Sequence, residues 1–150
     1  MRRRAAALLL CLAAAPAAAQ EIAGSWRGTY TCGQGNTALT LTIAALDKER
    51  VAALFHFDAA PDNPGVPSGC FEMAGRFDAR TGRLALDPSF WIARPHNYEM
   101  VGLHGQLRAD GMALSGRVDH PTCTSFELVR RVLPDAIAAC RRLRTEAAPR

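Results

Sequence analysis

From Gly24 to Arg130 the chain falls into short stretches in which apolar and polar residues alternate, each closed by turn-forming residues. A period of two places successive side chains on opposite faces of an extended strand, and no 3.6-residue apolar period interrupts the series. Trp26, Gly28 and Tyr30 alternate with Arg27, Thr29 and Thr31, and Leu39, Leu41 and Ile43 alternate with Thr40 and Thr42. Ala53, Phe55 and Phe57 mark a third strand; Phe71, Met73 and Phe77 a fourth; Leu84 and Leu86 a fifth. Val101, Leu103 and Leu107 mark a sixth, Leu114 and Val118 a seventh, and Phe126 and Leu128 an eighth. Eight strands without an intervening helix leave an antiparallel sandwich or an up-and-down barrel. The expectation is an all-β, eight-stranded antiparallel up-and-down barrel. Pro134 and Asp135 then open a short C-terminal helix at about residues 134–144, with Ile137 and Cys140 on one face.

The first residues belong to a different kind of segment. Arg2, Arg3 and Arg4 precede an apolar run from Ala5 to Ala15, and Ala17-Ala18-Ala19 supplies an A-x-A cleavage site before Gln20. That pattern is a secretory signal peptide over residues 1–19, and its apolar run is too short for a membrane anchor. Residues 20–150 then form a single domain in the periplasm or outside the cell. Three of the 18 basic residues leave with the signal, so the remainder nearly balances the 14 acidic ones. No basic stripe interleaved with aromatics remains, and nucleic acid is not an expected partner.

Four cysteines follow the signal: Cys32, Cys70, Cys123 and Cys140. An even number in an oxidising compartment reads as two disulfides, with three possible pairings and no C-x-x-C redox or zinc motif. Numbering the strands up and down assigns the connections alternately to two ends. One end receives the short turns at Leu46–Arg50, Ala79–Gly82 and Ala109–Gly111. The other receives Gly33–Asn36, the proline-rich Ala59–Gly69, Asp87–Asn97 and Asp119–Thr122. Cys32, Cys70 and Cys123 fall at that second end. In a closed barrel the first and eighth strands are neighbours, which favours Cys32–Cys123 and leaves Cys70–Cys140 to tie the helix to the wall.

Gly24-Ser25-Trp26 at the start of the first strand and Arg130 at the end of the eighth resemble the calycin pattern of lipocalins, avidins and fatty-acid-binding proteins. The resemblance implies that Trp26 plugs the closed end of a barrel and that the Arg130 guanidinium lies across it. A helix after the last strand is similar to that of lipocalins. The run Trp26-Arg27-Gly28-Thr29-Tyr30-Thr31-Cys32-Gly33-Gln34-Gly35, with Cys123-Thr124-Ser125-Phe126-Glu127-Leu128, also resembles the ends of an uncharacterised bacterial exported domain sometimes joined to caspase-like peptidases. Tyr30-Thr31-Cys32 further resembles periplasmic inhibitors of lysozyme, whose S-G-x-x-Y loop has only Ser68-Gly69-Cys70-Phe71 in a comparable place.

Catalytic patterns are not evident. The serines lie in no G-x-S-x-G elbow, and Gly33-Gln34-Gly35 precedes a strand, so it is no phosphate loop. His56, His96, His104 and His120 show no helical ligand spacing, although His96 and His120 share the long-loop end with Asp58 and Asp119. No cofactor or metal is expected. Phe90, Trp91, Ile92, Tyr98 and Met100 surround an Arg94-Pro95-His96-Asn97 turn, either as a ligand mouth or as a strand extension packed into the core. The working expectation is a binding protein for a small apolar or amphipathic ligand at the long-loop end. Trp91, His96 and Tyr98 would form its rim, and Phe55, Phe57, Phe71 and Met73 would lie inside. The alternative is a protein-interaction module or inhibitor using loops 59–69 and 88–97. A cavity of several hundred Å³ would favour the first, and a packed interior the second.

Overall fold

A computed structural model describes residues 20–147, so the signal sequence expected over residues 1–19 lies outside the described residues. Eight strands close into one antiparallel up-and-down barrel in sequence order: β1 (Gly24–Cys32), β2 (Gly35–Ala45), β3 (Arg50–Ala59), β4 (Gly69–Asp78), β5 (Arg83–Ala93), β6 (Gly102–Leu107), β7 (Ala113–Asp119) and β8 (Ser125–Arg131). The helix α1 (Ala136–Ala147) follows. Closure is made by β1 and β8, paired from Ser25↔Arg131 to Tyr30↔Phe126. Near the middle of that seam Gly28 is required by close approach, because a Cβ there would fall 1.9 Å from the Glu127 carbonyl oxygen.

The alternation read from the sequence is the inward–outward alternation of the walls. Trp26, Leu39, Leu41, Phe55, Leu86, Leu103 and Leu114 are all fully buried in the lumen. Each short connection at one end is built around an aspartate. Asp47 Oδ1 accepts the backbone N–H groups of Glu49 and Arg50, Asp78 Oδ1 those of Arg80 and Thr81, and Asp110 Oδ1 that of Met112. This is the Asx-turn chemistry that makes aspartate a turn former.

At the same end an indole and a guanidinium lie together. Trp26 is fully buried, and the Arg130 guanidinium lies 4.2 Å from the centre of its ring. Arg130 also donates to the carbonyls of Gly111 (2.9 Å), Ala23 (2.8 Å) and Glu21 (2.5 Å), tying a turn and the segment before β1 to the last strand. The disulfides are Cys32–Cys123 across the β1–β8 seam and Cys70–Cys140 from β4 to α1.

Three expectations are corrected. The segment 87–97 is not one loop: β5 continues to Ala93, with register shifts against β4 between Cys70 and Phe71 and between Glu72 and Met73. Asp87-Pro88-Ser89 breaks the alternation, and the bulges reset its phase so that pairing resumes. The connection proper is therefore 94–101. The helix begins at Ala136, two residues beyond Pro134, and the Asp135 carbonyl accepts its first turn bond from Ala139 at 2.9 Å. Ile137 and Cys140 do not share a buried face: Cys140 is buried and Ile137 is 45% exposed.

Candidate functional site

Phe55, Phe57, Phe71 and Met73 occupy the lumen below the long-loop end and are at most 2% exposed, which leaves no water-sized space against them. Phe55 stacks on Phe71 at 4.5 Å, and Tyr30 meets the edge of Phe55 at 5.1 Å. Such offset and edge-on contacts fill space with favourable ring electrostatics. The lumen here is core.

Above it lies a cleft of about 340 Å³, lined by Tyr30, Gln34, Tyr98, Glu99, His120 and Thr122 and by the Cys32–Cys123 disulfide. Tyr30 comes from an inward position of β1, two residues before Cys32. Gln34 occupies the two-residue turn to β2, where its amide donates to the Tyr30 hydroxyl (3.1 Å) and to Thr37 Oγ1 (3.2 Å). Burial, and then the neighbouring Tyr98, push the Tyr30 phenol well above its ordinary value, so it stays neutral and keeps its O–H.

Tyr98 and Glu99 arrive on the 94–101 connection. Pro95 starts a turn in which the Tyr98 N–H donates to the Pro95 carbonyl (3.3 Å) and Asn97 takes a left-handed conformation, φ 60°. Arg94 locks that turn by donating to the Tyr98 carbonyl (3.1 Å) while lying 5.9 Å from the Trp91 ring centre. Tyr98 stacks on Phe57 at 5.3 Å, so one wall of the cleft is continuous with the core, and burial raises its phenol as well.

His120 and Thr122 come from the β7–β8 connection. The backbone N–H of Thr122 points at His120 Nδ1 (3.3 Å), which assigns Nδ1 as an acceptor and places the ring hydrogen on Nε2. Nε2 then donates to Glu99 Oε2 (2.8 Å), and the Thr122 hydroxyl donates to Nδ1 (3.0 Å). Glu99, His120 and Thr122 thus form a hydrogen-bonded chain joining two loops across the cleft. The disulfide and the bond from the Thr124 N–H to the Thr31 carbonyl (3.0 Å) hold the second loop against β1.

The three expected rim residues separate. Tyr98 lines the cleft. Trp91 is half-buried in the wall, 5.1 Å from Phe71 and 6.4 Å from Phe57, as the strand-extension reading requires. His96 is exposed on the turn and does not line the cleft. Phe90 points outward at 53% exposure. His104 pairs with Asp119 on the outer wall at 3.4 Å, apart from the His120 group. Among the described residues no three His, Cys, Asp or Glu side chains gather as metal ligands. Tyr30, Gln34, Glu99 and Thr122 were not candidates from sequence. The H-P-T order after β7 was the one local hint, because a histidine two residues before a threonine can accept its backbone N–H. No protein-family model matches this chain, and no curated protein matches it.

Proposed function

We propose that this chain is an exported, calycin-like binding protein of the periplasm or the extracellular medium, and that its occupant sits in the long-loop cleft and not inside the barrel. The observation that carries the reading is the convergence of Gln34, Tyr98, Glu99, His120 and Thr122 from three separate connections, with Tyr30 from β1, onto one concave space over a rigid aromatic floor. Few convergent polar groups over an apolar base are the general form of a small-molecule site. Gln34, Glu99 and Tyr30 line the same space as Tyr98, so a carboxylate acceptor stands beside an aromatic ring and a neutral phenol. The matching ligand is small and amphipathic, with one apolar face and hydrogen-bond donors such as hydroxyl or amine groups.

The test begins with native mass spectrometry of the protein isolated from its own periplasm or medium, which is expected to reveal a retained small mass. Glu99→Gln and Tyr98→Ala should each lower its occupancy roughly 10- to 100-fold, the equivalent of one charge-assisted hydrogen bond or one ring contact. An empty protein with a co-purifying polypeptide would replace ligand carriage with the second reading, an interaction module or inhibitor. That reading draws support from the filled lumen and from the 59–69 loop. There the Asn63 amide donates to the carbonyls of Gln34 (2.7 Å) and Asn36 (3.0 Å), presenting Pro61, Pro64 and Pro67 on a fixed, exposed edge.

A further inference from the structure

The closed end of the barrel is sealed by the residues just before β1, and that segment is held from Gln20 onward. The Gln20 N–H donates to the Ala79 carbonyl at 3.1 Å. Ile22 is 2% exposed, and its carbonyl accepts the Trp26 indole N–H at 3.0 Å. Arg130 grips the carbonyls of Glu21 and Ala23. Chain ends fray unless they are tied down, and this segment is tied at every residue. The side-chain carbonyl oxygen of Gln20 is buried with no hydrogen-bond donor. It occupies room that exists because residue 82 is glycine: a Cβ there would lie 2.4 Å from it.

We infer that Gln20 becomes the first residue of the exported protein and is cyclised there to pyroglutamate. The inference rests on cleavage after Ala19, the export reading proposed above. Cleavage turns one N–H facing one carbonyl into an α-ammonium with three N–H groups and a positive charge. The site offers that group one acceptor, Ala79, and the Arg130 guanidinium, bonded to the next residue's carbonyl, adds like charge. One oxygen of each neighbouring carboxylate is already engaged: Asp78 Oδ1 by the N–H groups of Arg80 and Thr81, and Glu21 Oε1 by that of Ala23. A partly buried ammonium with fewer acceptors than N–H groups is costly.

Cyclisation removes the mismatch. The α-amino nitrogen, as the free base, attacks Cδ of its own carboxamide. The N–Cδ bond forms, the Cδ–Nε2 bond breaks, and Nε2 leaves as ammonia carrying one proton from the α-amine. No oxidant or reductant enters. The lactam is neutral and keeps a single N–H, matched to Ala79, so the finished plug carries no terminal charge.

The full chain, signal included, is expressed in a bacterial host and isolated folded from the periplasm, and its N-terminal peptide and intact mass are read together with Edman degradation. The expected protein starts at residue 20, is lighter than the glutamine form by one ammonia, and is blocked to Edman chemistry. Gln20→Glu, far slower to cyclise, should keep a sequenceable amine and unfold at a lower temperature. A wild-type chain that starts at residue 20 with an unmodified, sequenceable glutamine overturns cyclisation and leaves the cleavage site standing. A chain that starts elsewhere overturns both.

Discussion

Removing the Cys32–Cys123 bridge tests whether the β1–β8 seam is the thermodynamic closure of the barrel. The bridge spans 91 residues of sequence, and the chain-entropy relation then assigns it about 4.6 kcal/mol at 25 °C. Cys70–Cys140 spans 70 residues, for which the same relation gives about 4.4 kcal/mol. The two numbers are nearly equal, yet the native states they leave behind differ. Without Cys32–Cys123, the ends of β1 and β8 are still positioned by six paired residues, by the Thr124–Thr31 bond and by Arg130 over Trp26. The folded state regains little freedom, so nearly the full entropic term is lost from stability.

Without Cys70–Cys140, α1 is held by its packing against β2 to β5 alone. Among its described side chains Cys140 is fully buried, Ala136, Ala138, Ala139 and Leu143 are half-buried, and Ile137 is exposed. The helix is released, the folded state gains chain entropy, and the net loss should be under about half of the first. Urea denaturation followed by Trp26 fluorescence measures both. Cys32→Ala/Cys123→Ala should lower the midpoint by about 1.5–4.5 M for an ordinary m-value, and Cys70→Ala/Cys140→Ala by much less. Equal losses, or a loss below about 1 kcal/mol for the seam bridge, would refute the reasoning.

Other outcomes follow from single side chains. Arg130→Met removes three donors and the cation over Trp26 and should cost about 2–4 kcal/mol in thermal unfolding, with Arg130→Lys recovering only part because a single ammonium cannot reach three carbonyls in one plane. Phe71→Ala opens a cavity between Phe55 and Trp91 and should cost about 3–5 kcal/mol in the same assay. Asp47, Asp78 and Asp110 are held below the ordinary aspartate value, Asp47 and Asp78 chiefly by turn N–H groups and Asp110 chiefly by Arg108. Their contribution is present above 3.8 and is lost as pH falls below it, so a triple Asp→Asn variant should show a flatter decline of urea midpoint in acid. Burial holds the His56 imidazole below 6.5 against the opposing pull of the Asp58 carboxylate, with smaller help from Arg27 and Arg142. The unfolded chain therefore binds its proton first, stability falls as pH drops from about 6.5 toward the folded value, and His56→Gln should remove that part of the pH slope.

The barrel was legible because burial on one face writes itself into the sequence at every second residue: Leu39-Thr40-Leu41-Thr42-Ile43 has no other reading of equal quality. The pairing of Cys32 with Cys123 followed from closure, since only a ring makes strands one and eight neighbours. The upper half of β5 was not legible. Asp87-Pro88-Ser89 carries turn chemistry, Phe90-Trp91-Ile92 does not alternate, and the bulges that reconcile the two are set by the partner strand β4. The cleft was less legible still. Glu99 and His120 stand 21 residues apart on different connections, and no spacing rule marks a pair brought together by loops.

The filled lumen is why the proposed site lies at the rim. Whether eight strands enclose a space or a core depends on which rings meet inside, and here an aromatic series runs from Tyr30 through Phe55 and Phe71 to Trp91, with Phe57 passing the contact on to Tyr98. β5 and β6 pair at only four positions, Arg83↔Gln106 to Leu86↔Leu103, so the upper wall between them is not closed by backbone. Tyr98, Met100 and Val101, from the connection joining these two strands, pack against the core and cover that opening. The loop that lines the cleft is therefore also the loop that completes the wall. Its position is fixed by the core beneath it, which makes the cleft preorganised in the sense that favours tight binding. A change in Phe57, which stacks on Tyr98, or in Trp91, which meets the edge of Phe57, should consequently disturb binding through Tyr98 as strongly as it disturbs stability.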